Sequence, residues 1–145
     1  MNDIISFHFE ERPDLAEKAN QIRQTVFVEE QKVDPALEYD EFENVATHYL
    51  LSVDNMPVAT ARWRETTKGI KLERFATLKE YRNNGLGAMI LQKVLDDVKS
   101  KNKRIYLHSQ LKAIPFYERQ GFIKIGEQFT EAEIEHFEMI LKNRE

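Results

Sequence analysis

A chain of 145 residues with 41% hydrophobic and 32% charged residues is ordinary for a soluble globular protein and long enough to bury a proper core. Its formal net charge of -4 gives no basic field for nucleic acid, so any polyanion has to be held at a local site. The absence of cysteine excludes disulfides, a CxxC zinc site and a cysteine-linked acyl-enzyme.

No apolar run approaches a membrane span, and the opening residues MNDIISFHFEE do not read as a signal peptide. The expectation is one domain over residues 1–145 with a cytoplasmic location. His8, His48, His108 and His136 are too widely spaced for a local metal motif, so no metal is expected.

Ile4 to Glu10 is β-prone and alternates, with Ile5, Phe7 and Phe9 on one face. Pro13-Asp14 opens a helix, with Asp14 and Glu17 at the spacing of a capping box. Leu15, Ala19, Ile22 and Val26 form its core-facing stripe. Arg23 to Val33 reads as the helix end followed by an irregular segment. Glu38 to Glu43, EYDEFE, is an acidic run, by default a solvated loop. Its Tyr39 and Phe42 also make it a candidate wall for an acceptor amine.

His48 to Val53 and Pro57 to Arg64 read as a hairpin around Asp54-Asn55. Ile70 to Thr77 is the next strand. Leu86, Ile90, Val94 and Val98, widened by Leu91 and Leu95, mark an amphipathic helix. Arg104 to His108 is a strand, and strand–helix–strand order favours parallel pairing with a right-handed crossover. A short helix follows, with Pro115 in its first turn and Gly121 as its stop. Phe122 to Gly126 and His136 to Leu141 read as closing strands, with an acidic loop or turn between them.

The chemistry centres on Arg82-Asn83-Asn84-Gly85-Leu86-Gly87, between strand and helix. A glycine loop at a helix start exposes unpaired backbone N–H groups at the positive end of the dipole, which suits a phosphate or pyrophosphate. The P-loop pattern is absent, and Ile90 stands where the third glycine of a dinucleotide loop belongs. What remains is R-x-x-G-x-G, which fits an anion loop or a plain surface turn. Downstream lies A-x-x-x-Y-x-x-x-G-F, carried by Ala113, Tyr117, Gly121 and Phe122.

The two motifs, in this order and on these elements, resemble the acyl-CoA signatures of the GNAT superfamily of N-acetyltransferases. The words VFVEEQKV and I-x-H-x-x-M (Ile134, His136, Met139) look more narrowly like its small bacterial ElaA/YjcF-type branch. The resemblance implies an α+β sandwich: a twisted mixed sheet of six to seven strands, helices on both faces, and a central parallel pair, Leu72–Thr77 and Ile105–His108, that splays apart. It implies acetyl-CoA as donor and direct transfer, in a ternary complex, to a small-molecule or peptide amine, with a homodimer left open.

Carried over residue by residue, Arg82, Asn83, Asn84, Gly85, Leu86, Gly87 and Ala88 would hold the pyrophosphate, and Phe75, Ala76 and Thr77 the pantetheine arm. Gln110, where many members have asparagine, Ala113 and Phe116 would complete the cofactor contacts. Tyr117 would protonate the departing sulfur. Glu73 is the first candidate base and His108 the second. His136 is the third, or else it shapes the acceptor pocket with Arg23, Phe27, Glu38 and Asp40. Arg23-x-x-x-Phe27 and Glu38-x-Asp40 also resemble acyl-homoserine-lactone synthases, the alternative reading beside a non-catalytic acyl-CoA-binding module.

Overall fold

The computed structural model describes residues 1–142, so the last three residues of the expected domain lie outside it. Seven strands form one mixed sheet in the order β1-β2-β3-β4-β5-β7-β6. The strands are β1 (Asn2–Phe7), β2 (Thr47–Val53), β3 (Met56–Thr66), β4 (Gly69–Thr77), β5 (Ile105–Gln110), β6 (Phe122–Glu131) and β7 (Ile134–Leu141). Every neighbouring pair is antiparallel except β4 with β5.

Helix α1 (Pro13–Arg23) covers one face, where Leu15, Ala16, Ala19, Ile22 and Val26 meet Phe7, Leu50 and Ala76. Helix α2 (Pro35–Glu38) is a single turn capped by the Asp34 carboxylate on the Ala36 N–H. Helices α3 (Leu86–Val98) and α4 (Ile114–Arg119) cover the other face. All six residues of the expected α3 stripe are buried there.

The parallel seam is short. Its register joins Ile70 to Ile105, Lys71 to Tyr106 and Leu72 to Leu107, and then stops, although both strands continue. The cause lies on the other edge of β4. Between the pairs Thr60–Ala76 and Arg62–Glu73, β4 carries one more residue than β3. This bulge bends β4 away from β5. Arg74, inside it, has φ 59°, a left-handed conformation that costs an ordinary side chain about 1 kcal/mol or more. Its guanidinium offsets that cost by donating to the Glu38 carbonyl oxygen and the Asp40 carboxylate.

Several expectations need correction. Asp14 is not the helix cap: Arg12 holds that position without a side-chain cap, and Asp14 lies inside the first turn, where its carboxylate pairs with Arg12. Residues Gln24–Glu30 are not irregular but continue α1 as a π-helical segment. The first strand spans Asn2–Phe7 rather than Ile4 to Glu10, so Phe9 lies beyond it, and Ile5 is exposed. The segment before His136 is no loop: β6 and β7 form one long hairpin whose turn residues Ala132 and Glu133 both have positive φ, the geometry of a tight two-residue turn.

The acidic run is not a solvated loop either. Glu38 is buried against Arg23, while Asp40 and Glu43 pair with the fully buried Arg62.

Candidate active site

Where β4 and β5 part, a cleft of about 390 Å³ opens. The π-helical segment and its C-terminal cap wall it with Phe27 and Gln31, α2 with Leu37 and Glu38, and the β6–β7 turn and the start of β7 with Ala132 and Ile134. Phe75, Gln110, Ala113 and Tyr117 lie on its wedge-side lining.

The start of α3 stands beside this wedge. Gly85, its N-cap residue, has φ 79°, and the first intrahelical bond runs from Met89 to the Gly85 carbonyl. No side chain caps the helix and no acidic residue occupies its first turn. The amides of Leu86, Gly87 and Ala88 therefore have no intrahelical acceptor. A Cβ on Gly85 would meet nothing within 4 Å, and one on Gly87 would only touch the Phe116 ring at 3.6 Å. Protein packing thus leaves the space in front of these amides open, which suits an anionic group approaching the backbone.

Arg82 is already engaged. Its Nε donates to the Thr77 carbonyl at 2.8 Å, and its two terminal nitrogens fork onto the Glu30 carboxylate at 2.7 Å each. Gln110 is likewise tied across the cleft, donating to the Gln31 side-chain oxygen at 2.7 Å.

Tyr117 is fixed by its ring neighbours: Phe75 edge-on at 6.4 Å, Phe116 at 5.1 Å and Phe122 at 5.8 Å. Burial alone pushes its phenol upward, so it stays protonated at neutral pH. Among the described residues the one fully enclosed polar side-chain atom without a partner is Asn20 Oδ1. Tyr117 is buried, and the residue lines the cleft.

The three candidate bases have unlike surroundings. Burial pushes Glu73 upward, but the charge of Arg62, with Arg64 and Lys71 behind it, outweighs this and holds the carboxyl at about 2. Arg62 and Arg64 sit 2.9 Å from Oε1, and Lys71 sits 3.2 Å from Oε2. His108 lies between two carboxylates, its Nδ1 3.0 Å from Glu131 and its Nε2 3.7 Å from Glu138. His136 is buried, stacks on Phe129 at 5.8 Å and bonds through Nδ1 to the Ile134 carbonyl at 2.7 Å.

Phe27, Glu38, Asp40 and His136 all reach the cleft, but Arg23 does not. It is fully buried, donating to Glu38 and Glu43. Glu131, Gln31 and Lys71 line the cleft without having been expected there. The β-prone Phe129-Thr130 just before Glu131 was the available signal that the strand ran on to it.

Comparison with known proteins gives the same picture. The family model for the acetyltransferase (GNAT) domain matches residues 11–143. Over 123 residues the chain is 40% identical to the uncharacterized Bacillus subtilis protein YyaT, covering 82% of this chain and 83% of that one. It is 35% identical to the uncharacterized Bacillus subtilis N-acetyltransferase YjcF, covering 82% of this chain and 86% of that one. Escherichia coli ElaA has the same fold, with TM-score 0.88 at 24% identity over 98% of this chain and all of that one. With its seam opened by the β4 bulge and its α3 amides left uncapped, the chain belongs to the GNAT family of acetyltransferases.

Proposed function

We propose that the protein transfers an acetyl group from acetyl-CoA to a primary amine. The observation that carries this reading is the seam beyond Leu72 and Leu107, where β4 and β5 stop pairing beside the uncapped start of α3. A thioester and a pyrophosphate on one molecule match those two features: an unpaired strand edge takes an amide-bearing arm, and free helix amides take the phosphates.

The bound donor supplies an activated acyl carbon, whose C–S bond is exchanged for a C–N bond. The backbone of Phe75 to Thr77 would hold the arm, and Leu86, Gly87 and Ala88 the pyrophosphate. Tyr117, protonated and lining the cleft, would deliver a proton to the leaving sulfur. The rings around it fix where its hydroxyl points. The acceptor would enter between the π-helical segment and the β6–β7 hairpin, where Phe27, Glu131 and His136 face the cleft.

Isothermal titration with acetyl-CoA, followed by mass spectrometry of a primary-amine panel incubated with acetyl-CoA, tests this. The expected result is acetyl-CoA binding and a mass gain on an amine. No acetyl-CoA binding overturns the donor assignment. Binding without turnover of any amine would favour the binding-module reading, and binding of S-adenosylmethionine instead would favour the lactone-synthase one.

A further inference from the structure

We propose that His136 is the general base that takes the proton from the acceptor ammonium; this rests on the transferase reading above. The argument starts from the hydrogen bond at Nδ1. A backbone carbonyl can only accept, so the 2.7 Å contact with the Ile134 oxygen places a proton on Nδ1. In the neutral ring the lone pair then sits on Nε2, which has no partner among the described residues. His136 lines the cleft.

The backbone puts this ring in the right row of the sheet. His136 is the register partner of Gln110 on β5 and of Phe129 on β6. Gln110 lies past the last β4–β5 pair, at the open end of the wedge. Gln110 reaches Gln31, the residue that caps the π-helical continuation of α1, which puts this row on the α1 side of the sheet. The charged and titratable groups around His136 are Glu131 from β6, His108 from β5 and Glu135 on its own strand. The Phe129 stack holds the ring plane.

The rival bases lack such a free atom. Both Glu73 oxygens are occupied by cations, and both His108 nitrogens face carboxylates. The step is a single proton transfer. An N–H bond of the ammonium breaks, an Nε2–H bond forms, and the ring becomes an imidazolium that keeps its Nδ1–H on Ile134. The freed amine lone pair is then available for attack.

Two measurements test it. Nitrogen-15 NMR of the histidine rings in the wild-type protein should find neutral His136 protonated on Nδ1 and bare on Nε2. With acetyl-CoA and an accepted amine, His136→Gln should lower kcat by about 100-fold or more, the scale of general-base catalysis, while acetyl-CoA affinity changes less than about twofold. Added imidazole should restore part of the turnover of His136→Ala. A proton on Nε2, or wild-type kcat in His136→Gln, overturns the assignment. If the wild type binds acetyl-CoA but acetylates no amine, the transferase reading fails, and the NMR result still decides which nitrogen holds the lone pair.

Discussion

The two sides of the wedge are built by different means. The side proposed for the donor, from the end of β4 at Phe75–Thr77 through α3 and on to α4, uses backbone amides, a glycine with positive φ and a continuous apolar stripe. The side proposed for the acceptor uses charged side chains brought together from distant parts of the chain. Arg23, Arg62, Arg64, Lys71 and Arg74 interlock there with Glu38, Asp40, Glu43 and Glu73. A side made of backbone tolerates most exchanges of surface side chains. A side made of interlocked charges is weakened throughout when one member is removed, because the rest stay buried with fewer partners.

The largest effect should follow from Arg62→Ala. Arg62 is fully buried and touches Asp40, Glu43 and Glu73 at 2.7–2.9 Å. Its loss takes the shared central cation from three carboxylates, which keep only their outer partners Arg74, Arg23 and Arg64 with Lys71, a cost of about 3–5 kcal/mol. Urea denaturation should show the fall, and a change below about 1 kcal/mol would mean that the network contributes little. On the donor side Gly87→Ala is the contrasting test. Its new methyl would make only ordinary contact with Phe116, so stability should hold while acetyl-CoA affinity falls.

Acid should separate the sides further. Burial lowers His48 to about 4, so the native state holds it neutral while the unfolded chain still binds a proton. Its contribution is complete above the unfolded value of about 6.5 and is lost as pH falls through about 4, roughly 3 kcal/mol in all. Asp40 and Glu73, both held at about 2, add their loss below the ordinary carboxylate range. Stability measured between pH 7 and pH 4 should fall in wild type and flatten in His48→Phe. Parallel curves would remove His48 from the account.

The same contrast explains what was legible in the sequence. The donor side is local: Gly85, the Leu86-to-Val98 stripe, Tyr117 and Gly121 follow one another in short motifs, and each lies on its expected element. The acceptor side is nonlocal. Glu38 meets Arg23 across 15 residues and Arg74 across 36, and no spacing rule pairs them. An acidic run read alone predicts a solvated loop, because nothing nearby in sequence says that Arg62 will be buried beneath it. Glu131 was missed for a related reason. The turn at Ala132-Glu133 uses residues without glycine or asparagine, so the hairpin carried no turn signal.

Next in size is Tyr117→Phe, which tests the donor side by chemistry rather than folding. The ring keeps its contacts with Phe75, Phe116 and Phe122, so stability and acetyl-CoA affinity should hold. Loss of the proton donor should lower kcat by about 100-fold. Unchanged kcat would leave Tyr117 as packing alone.

The smallest effect sits where the two sides touch. Glu30 belongs to the π-helical segment and Arg82 to the donor loop, and their forked pair is the clasp between them. Both side chains are about one-third exposed, so the pair contributes about 0–1 kcal/mol to stability. Its interest is competition. If the Arg82 fork must leave Glu30 to meet a pyrophosphate, Glu30→Gln should tighten acetyl-CoA binding a few-fold and Arg82→Ala should weaken it. If Arg82 stays on Thr77 and Glu30 as a strut while backbone amides alone hold the phosphates, Glu30→Gln should leave affinity unchanged. Titration calorimetry on the two variants distinguishes a clasp that opens for the donor from one that only ties the acceptor wall in place.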